Sequence, residues 1–528
     1  NWFRKMAIIS SGILLNILIT FFTLIAIAAI YFKWAFNYWK KKGVSSPPVS
    51  IPFGNMTRPI LQKLSAGEEV MNIYQVHKNK GLRYAGIYFF AKPILLIFEP
   101  DLIKNIFTKD FQYFTDHGSY INEKVDPLSG HLFNMKGLKW KNMRAKLTPT
   151  FTSGKMKMMF QTLVDCSHEL INVMDKASQG NQAFDIKDIV ARFTTDIIGS
   201  CAFGIECNSL KDPNSEFRNY GRKVFEIEGF QAIKTVLGFC FPQILEFCNV
   251  GVNREDVTNF FTNAVKETVN YRESNKIARK DFMHLMIQLK NNIKIQEGEN
   301  DNLKLSDGDN EVGTSLTISE LAAQAFVFFI AGFETSSTTL TFCFYELVVN
   351  LDVQDKLREE ITDVLEKHDG KLTYEAIMEM TYMDKCVNET LRKYPPVPFL
   401  TRECNAAYKM PQSDLTIENG TMIFVPVLGI QRDPEYYPNP DMFDPERFSP
   451  ENKAKRHAFT WLPFGEGPRA CIGLRFGLLQ AKVGLAVLLK NYRFTLNPRT
   501  RSPLLVDPKT FVMSPVGSVW LNAEKLTP

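Results

Sequence analysis

Near its carboxyl end the chain reads Phe464-Gly465-Glu466-Gly467-Pro468-Arg469-Ala470-Cys471-Ile472-Gly473, a glycine-rich loop with one cysteine just ahead of a helical pattern. A thiol placed there meets backbone N–H groups, a helix amino terminus and the guanidinium of Arg469. All three favour the thiolate, the form of cysteine that ligates metals. Phe464 can shield the sulfur from water, and Gly467 and Gly473 let the backbone pass close to a flat ligand. A cysteine buried in an ordinary turn would explain a bare Cys-x-Gly. The full Phe-x-x-Gly-x-Arg-x-Cys-x-Gly pattern is another matter: at average residue usage it arises by chance on the order of once in ten thousand such chains.

Other residues pair chemical groups at helical spacing. Glu334 and Thr335 place an acid beside an alcohol within Ala331-Gly332-Phe333-Glu334-Thr335-Ser336, where Gly332 has no side chain and Ala331 a small one. On an arbitrary helix this would be only a polar step. Glu389 and Arg392 stand at i,i+3, where an ion pair is commonplace and contributes a few tenths of a kcal/mol. Trp140 and Arg144 stand at i,i+4 among Lys139, Lys141 and Lys146, as on any solvated basic helix. The nine cysteines include no Cys-x-x-Cys pair, which argues against a disulfide framework and a zinc site. The histidines are too dispersed to hold a metal. No Gly-x-Gly-x-x-Gly follows a strand, so a built-in flavin or nicotinamide site is not indicated.

These groups need elements to hold them. Thr317-Ile318-Ser319-Glu320 has capping-box form, and an apolar pattern without proline follows over 321–349, which predicts a long helix through the middle of the protein. Helical patterns cover 156–174, 254–280, 353–367, 382–393 and 475–490, and short strand patterns cover 84–90, 94–98, 415–417 and 422–425. The expected fold is mainly α with a small β region. Residues 291–315, rich in Asn, Asp, Glu and Gly, read as a solvated loop.

Residues 7–32 carry no charge and 13–30 are dominated by Ile, Leu, Phe and Ala, long enough for one transmembrane helix. Ala26-Ile27-Ala28 resembles a signal-peptide cleavage site, but the apolar run outlasts a usual signal core. Lys33, Lys40, Lys41 and Lys42 follow the span while Arg4 and Lys5 precede it, which places the carboxyl-terminal bulk in the cytosol. An initiator at Met6 would remove Arg4 and Lys5 and strengthen that orientation. Pro47-Pro48-Val49-Ser50-Ile51-Pro52-Phe53-Gly54 reads as a stiff hinge. The expected organisation is an anchor over 1–43, a hinge over 44–54 and a catalytic domain over 55–528. A net charge of +5 over 528 residues, without a basic stripe bearing aromatics, gives nucleic-acid binding no support.

The cysteine loop resembles the haem-binding loop of the cytochrome P-450 superfamily. Ala331-Gly332-Phe333-Glu334-Thr335-Ser336, Glu389-Thr390-Leu391-Arg392 with Tyr394-Pro395-Pro396-Val397-Pro398, and Pro445-Glu446-Arg447-Phe448 occur in that family's order and spacing. Leu147-Thr148-Pro149-Thr150-Phe151-Thr152-Ser153-Gly154-Lys155 and the Ala331 motif look similar to insect family-six microsomal enzymes.

The resemblance implies a cytochrome P-450 fold and a haem-thiolate monooxygenase with haem b, Cys471 being the axial ligand to iron. A thiolate ligand pushes electron density onto iron and favours O–O cleavage. The resemblance further implies that Trp140, Arg144, Arg402 and Arg469 hold the haem propionates, and that Phe464 and Gly473 shape the cofactor loop. Thr335 would hold the water that delivers protons, with Glu334 as its acidic partner. The helix would widen locally at Gly332 for dioxygen and water. Glu389, Arg392 and Arg447 would brace the core. His117 stands where many relatives have arginine, which leaves its own propionate contact in doubt. Phe326, Phe329, Val397, Phe399, Leu400 and Met513 match substrate-lining positions, although apolar residues at such spacings are more often ordinary core.

Without a flavin or nicotinamide motif, electrons must come from outside. The resemblance implies NADPH–cytochrome P-450 reductase, helped in some relatives by cytochrome b5, at the endoplasmic reticulum membrane with the catalytic domain cytosolic. The basic residues near Trp140 are the expected docking face. Substrates are expected to be lipophilic, with family six tilting toward xenobiotics such as insecticides and plant toxins. An endogenous hormone or lipid hydroxylase, a reductase-independent haem-thiolate isomerase, and a non-enzymatic haem carrier or sensor are the rivals. The apolar stretch 230–247 is expected to touch the membrane beside the anchor.

Overall fold

The computed structural model describes residues 2–226, 228–291 and 315–526, so the expected solvated loop over 291–315 falls, apart from its two ends, outside the described residues. The capping box forms as expected. Thr317 Oγ1 accepts from the Glu320 N–H at 3.1 Å, and the Glu320 carboxylate accepts from the Thr317 N–H at 3.0 Å. From that start a single α-helix runs from Ile318 to Val349, enclosed on nearly every side through its second half. It is apolar and long enough to cross a membrane, but half of its apolar window is packed inside the protein, so it is the central core helix.

The helix Ile186–Ile198 lies most extensively against it, with Glu255–Ser274, Thr381–Lys393 and Leu474–Asn491 completing the layer. Two glycines set the close crossings. A Cβ on Gly332 would stand 2.3 Å from Ile198 Cδ1, and one on Gly484 would press on Phe193 and Leu340. The remaining helical patterns appear as Ser153–Ala177 and Leu351–Lys367, each within a few residues of expectation. The pattern over 254–280 stops early, at Ser274, because Asn275 caps the helix and Lys276 turns left-handed at φ 53°.

The β region is small, and part of it was not legible from local pattern. Strands β1 (Tyr84–Phe89) and β2 (Lys92–Ile97) form a hairpin, β3 is Phe184–Asp185, and β4 is Leu400–Glu403. Strands β5 (Tyr408–Lys409), β6 (Thr416–Ile417), β7 (Met422–Val425), β8 (Tyr492–Leu496) and β9 (Trp520–Lys525) follow. The main sheet has the order β1-β2-β7-β4, with β2 and β7 parallel and the other pairs antiparallel. Strand β8 continues directly from a helix and pairs with β9 far along the chain, so no turn signal announces either.

At the amino terminus, Leu14–Lys41 is long and apolar enough to span a membrane, and none of its apolar window is buried. Packing against the sheet begins earlier than composition suggested. Trp39 is 1% exposed, donates from Nε1 to the Ile87 carbonyl at 3.0 Å, and fills the space left by Gly86. Val44 joins the same apolar core. The proline-rich segment lies along β1 instead of standing clear of it: Gly54 bridges both Ser50 and Phe89, and Asn55 Nδ2 donates to the Pro48 carbonyl at 2.9 Å.

Candidate active site

The cysteine loop is built by its own backbone. The Cys471 N–H donates to the Phe464 carbonyl at 2.8 Å and the Ala470 N–H to the Gly467 carbonyl at 3.0 Å. Gly465 and Gly467 sit at φ 67° and 74°, where a side chain would be strained. Gly467 also answers a demand of protein packing: a Cβ there would lie 1.9 Å from the Phe107 carbonyl oxygen. Gly473 does leave open space, its nearest neighbour being Phe151 at 3.9 Å from a built Cβ.

The electrostatics of the sulfur also differ from the sequence reading. Burial is the largest influence on the Cys471 thiol and raises its pKa, opposed by the Gly473 N–H and by the charge of Arg144. Arg469 is not the guanidinium that faces the sulfur. Its nitrogens donate to the carbonyls of Thr115 (2.7 Å), Leu132 (3.2 Å), Phe133 (3.3 Å) and Met135 (2.6 Å), with Asp116 at 3.4 Å. Arg469 therefore ties the cysteine loop to residues 115–135. Asp116, which the sequence did not single out, also accepts from the Gly137 N–H and from Asn405 Nδ2.

Cys471 presents open surface although protein surrounds it deeply enough to perturb its thiol, so its open face gives onto an interior space. On the central helix Ala331 is exposed and Thr335 half-buried, in the midst of packed neighbours. The helix that follows Cys471 joins the two regions: Gln480 Nε2 donates to the Gly332 carbonyl at 3.1 Å. The backbone belongs to one α-helix through this stretch, and the Ala331, Gly332 and Phe333 carbonyls accept from the side chains of Thr335, Gln480 and Thr194. The open face is that of Ala331 and Thr335, because Ile198 occupies the space beside Gly332. Burial raises the pKa of Glu334, with Lys187 and Arg218 acting against it.

Two cations near the cysteine loop have no carboxylate partner among the described residues. Arg402, on β4, is 2% exposed; its Nε has no hydrogen-bond partner, and no carboxylate among the described residues pairs with it. Burial, and then the charge of Arg469, lower its pKa. Arg144 is also half-buried and without a carboxylate partner among the described residues. Trp140 is buried with its ring under the Arg469 guanidinium, 4.0 Å from its centroid. A buried cation without an anion costs several kcal/mol. A thiol donor with open surface and unpaired buried guanidiniums fit an iron porphyrin with carboxylate side groups.

The family model for cytochrome P-450 matches residues 52–521. Among curated proteins the chain is 44% identical over 495 residues to cytochrome P-450 6a2 of Drosophila melanogaster, covering 93% of this chain and 96% of that one. It is 42% identical over 525 residues to cytochrome P-450 6k1 of Blattella germanica, with 99% of each chain covered. To cytochrome P-450 6A1 of Musca domestica it is 41% identical over 507 residues, 95% of this chain and 96% of the relative. The chain belongs to the cytochrome P-450 family.

Membership makes it a haem-iron monooxygenase of the insect family-six kind, and the other motifs of this P-450 can be placed. Glu389, fully buried, receives Arg392 Nε at 2.7 Å and Nη2 at 2.8 Å, with Arg447 Nε at 3.3 Å. Arg392 also donates to the carbonyls of Gln431 and Pro440, so the three residues join the 381–393 helix to the approach of the cysteine loop. Of the six apolar positions, Val397 and Leu400 keep open surface. Phe399 is stacked on Phe424, centroids 4.8 Å apart. Phe329 is closed off among Phe203, Phe217, Phe261 and Phe333, Phe326 packs on Phe261, and Met513 sits with Phe342, Tyr394 and Leu428.

Proposed function

We propose that this P-450 is a microsomal enzyme that inserts one oxygen atom of dioxygen into lipophilic foreign compounds, insecticides and plant toxins among them, using electrons from NADPH through a separate reductase. The observation that carries this reading is the open surface of Cys471 deep within the protein, together with the buried guanidinium of Arg402 and the half-buried one of Arg144, neither of them paired with a carboxylate among the described residues. Haem b would be held there by Cys471 through iron and by Trp140, Arg144 and Arg402 at its carboxylates, with Phe464 and Gly473 lining the loop. Arg469 would add charge while bracing that loop. Bound haem-iron supplies dioxygen binding and activation.

The protein's own residues would supply the rest. Thr335 Oγ1 donates to the Ala331 carbonyl at 2.6 Å, which leaves its oxygen lone pairs free to accept from a water in the open space. Glu334, its pKa raised by burial, stands next in sequence as a proton source. This acid–alcohol pair sets monooxygenation above a reductase-independent isomerase or a haem carrier. The xenobiotic role rests on likeness to family six.

Residues 1–43 would carry the anchor in the endoplasmic reticulum membrane, its lipid-crossing part ending before Trp39, which packs on the sheet, with 55–528 as the cytosolic catalytic domain. Phe230 and Phe247, 71% and 92% exposed, would dip into lipid beside the anchor. The exposed lysines around Trp140 would meet the acidic face of the reductase or of cytochrome b5. Reduction and carbon monoxide binding of the purified protein should give the red-shifted Soret band of thiolate ligation. Reconstitution with reductase should then consume NADPH and dioxygen when a lipophilic compound is added. Consumption with no reductase requirement, or none at all, would overturn the proposal.

A further inference from the structure

His117 is packed where a charge would be unwelcome. Its ring lies flat on Phe133, centroids 4.2 Å apart and planes at 10°. Its Nδ1 stands 3.3 Å from Arg402 Nη1 and 3.1 Å from the Thr401 carbonyl oxygen. A guanidinium nitrogen can only donate, so a hydrogen bond with Arg402 needs the tautomer with the lone pair on Nδ1 and the ring proton on Nε2; in the other tautomer Nδ1 donates to the Thr401 carbonyl. The Thr401 carbonyl also accepts from Arg402 Nη1 at 2.8 Å, which favours the first tautomer without requiring it. In that tautomer the same nitrogen of Arg402 is held from two sides, by a carbonyl and by an imidazole.

The remaining constraints on Arg402 come from its other side. Its guanidinium lies over the Phe107 ring at 4.3 Å, while Nε is buried with no partner. Stacking fixes the height of the group, and the two acceptors at Nη1 fix its rotation within that plane. What is left undonated is what an anion would receive. A cation at position 117 would instead repel Arg402, and burial together with Arg402 and Arg469 keeps this imidazole neutral.

We propose that His117 is a positioning residue: by accepting from Arg402 Nη1 it orients that guanidinium toward a haem carboxylate. It contributes no charge of its own to holding the carboxylate. The inference rests on reading Arg402 as a propionate partner.

Two substitutions separate the acceptor from the ring. His117→Asn keeps an acceptor near the place of Nδ1 and removes the stacking, whereas His117→Phe keeps a flat ring on Phe133 and removes the acceptor. Haem release from the ferric full-length protein in detergent to excess apomyoglobin, and the propionate bands in resonance Raman spectra, are the readouts. The asparagine variant should stay within about twofold of wild type with unshifted bands. The phenylalanine variant should release haem about tenfold faster with shifted bands, as expected for a lost bond to a charged group. Wild-type behaviour of His117→Phe, or release from His117→Asn as fast as from His117→Phe, overturns the proposal. Should the phenylalanine variant take up no haem, the asparagine variant decides by itself: unshifted bands support the role and shifted bands overturn it. Arg402→Leu is the separate control. If it releases haem no faster than wild type, the propionate reading itself fails, whatever the His117 variants do.

Discussion

The charge that bears on the Cys471 sulfur is that of Arg144, carried on the helix Gly137–Leu147, whereas Arg469, two residues from the cysteine, turns away to bind carbonyls of residues 115–135. The two arginines should therefore fail differently. Arg144→Leu should leave the fold intact but weaken the thiolate, raising the share of protein whose reduced carbon monoxide complex absorbs at the shorter, thiol-type wavelength. Arg469→Leu removes a buried cation that satisfies four carbonyls, and should lower expression and thermal stability first. Equal spectra from the two variants at equal stability would contradict this division.

Gly332→Ala tests why the central helix has no side chain at that point. By helix propensity alone the change would stabilise by up to about 1 kcal/mol. Here the new Cβ would stand 2.3 Å from Ile198 Cδ1, so overpacking of about 1–3 kcal/mol should win and lower the melting temperature. Adding Ile198→Ala should recover part of that loss. A Gly332→Ala variant as stable as wild type would mean that the Ile186–Ile198 helix yields freely.

Glu389→Ala would leave Arg392, fully buried, with no carboxylate. Removal of one partner of such a pair costs about 3–5 kcal/mol. Thermal unfolding followed by circular dichroism should show a large drop, with Glu389→Gln intermediate because an amide can still accept.

His131 makes stability fall in acid. Burial lowers its pKa from the usual 6.5 to about 4, and its Nδ1 has no partner. Because the folded value lies below the unfolded one, its contribution is intact above pH 6.5 and is lost as pH falls toward 4. The full effect is about 3 kcal/mol. His131→Gln, which cannot take up a proton, should flatten the melting-temperature profile across that window. Parallel profiles for the two proteins would assign acid lability elsewhere.

Reductase docking should be probed at Lys141. Lys139 already pairs with Glu123 at 2.6 Å, so reversing its charge would also break that contact. Lys141→Glu should raise the apparent KM for reductase several-fold at low ionic strength, with the difference fading as salt screens it. No change at low salt would move the docking face away from this helix.

What could be read from the chain alone is what local order encodes. The capping box at Thr317, the central helix and the cysteine loop each depend on residues within a few positions of one another, and each formed where expected. Tertiary structure decided whatever rests on distant partners. Ile198 fills the space at Gly332, Phe107 explains Gly467, and the guanidinium charge acting on the sulfur is that of Arg144 and not of Arg469. The pairing of β8 with β9, and the seating of Trp39 against Gly86, are likewise contacts between segments that carry no shared periodicity. A side chain's type and spacing announce which chemistry is present. Which way a long guanidinium turns, or which helix presses on a glycine, depends on packing against residues that spacing does not reveal.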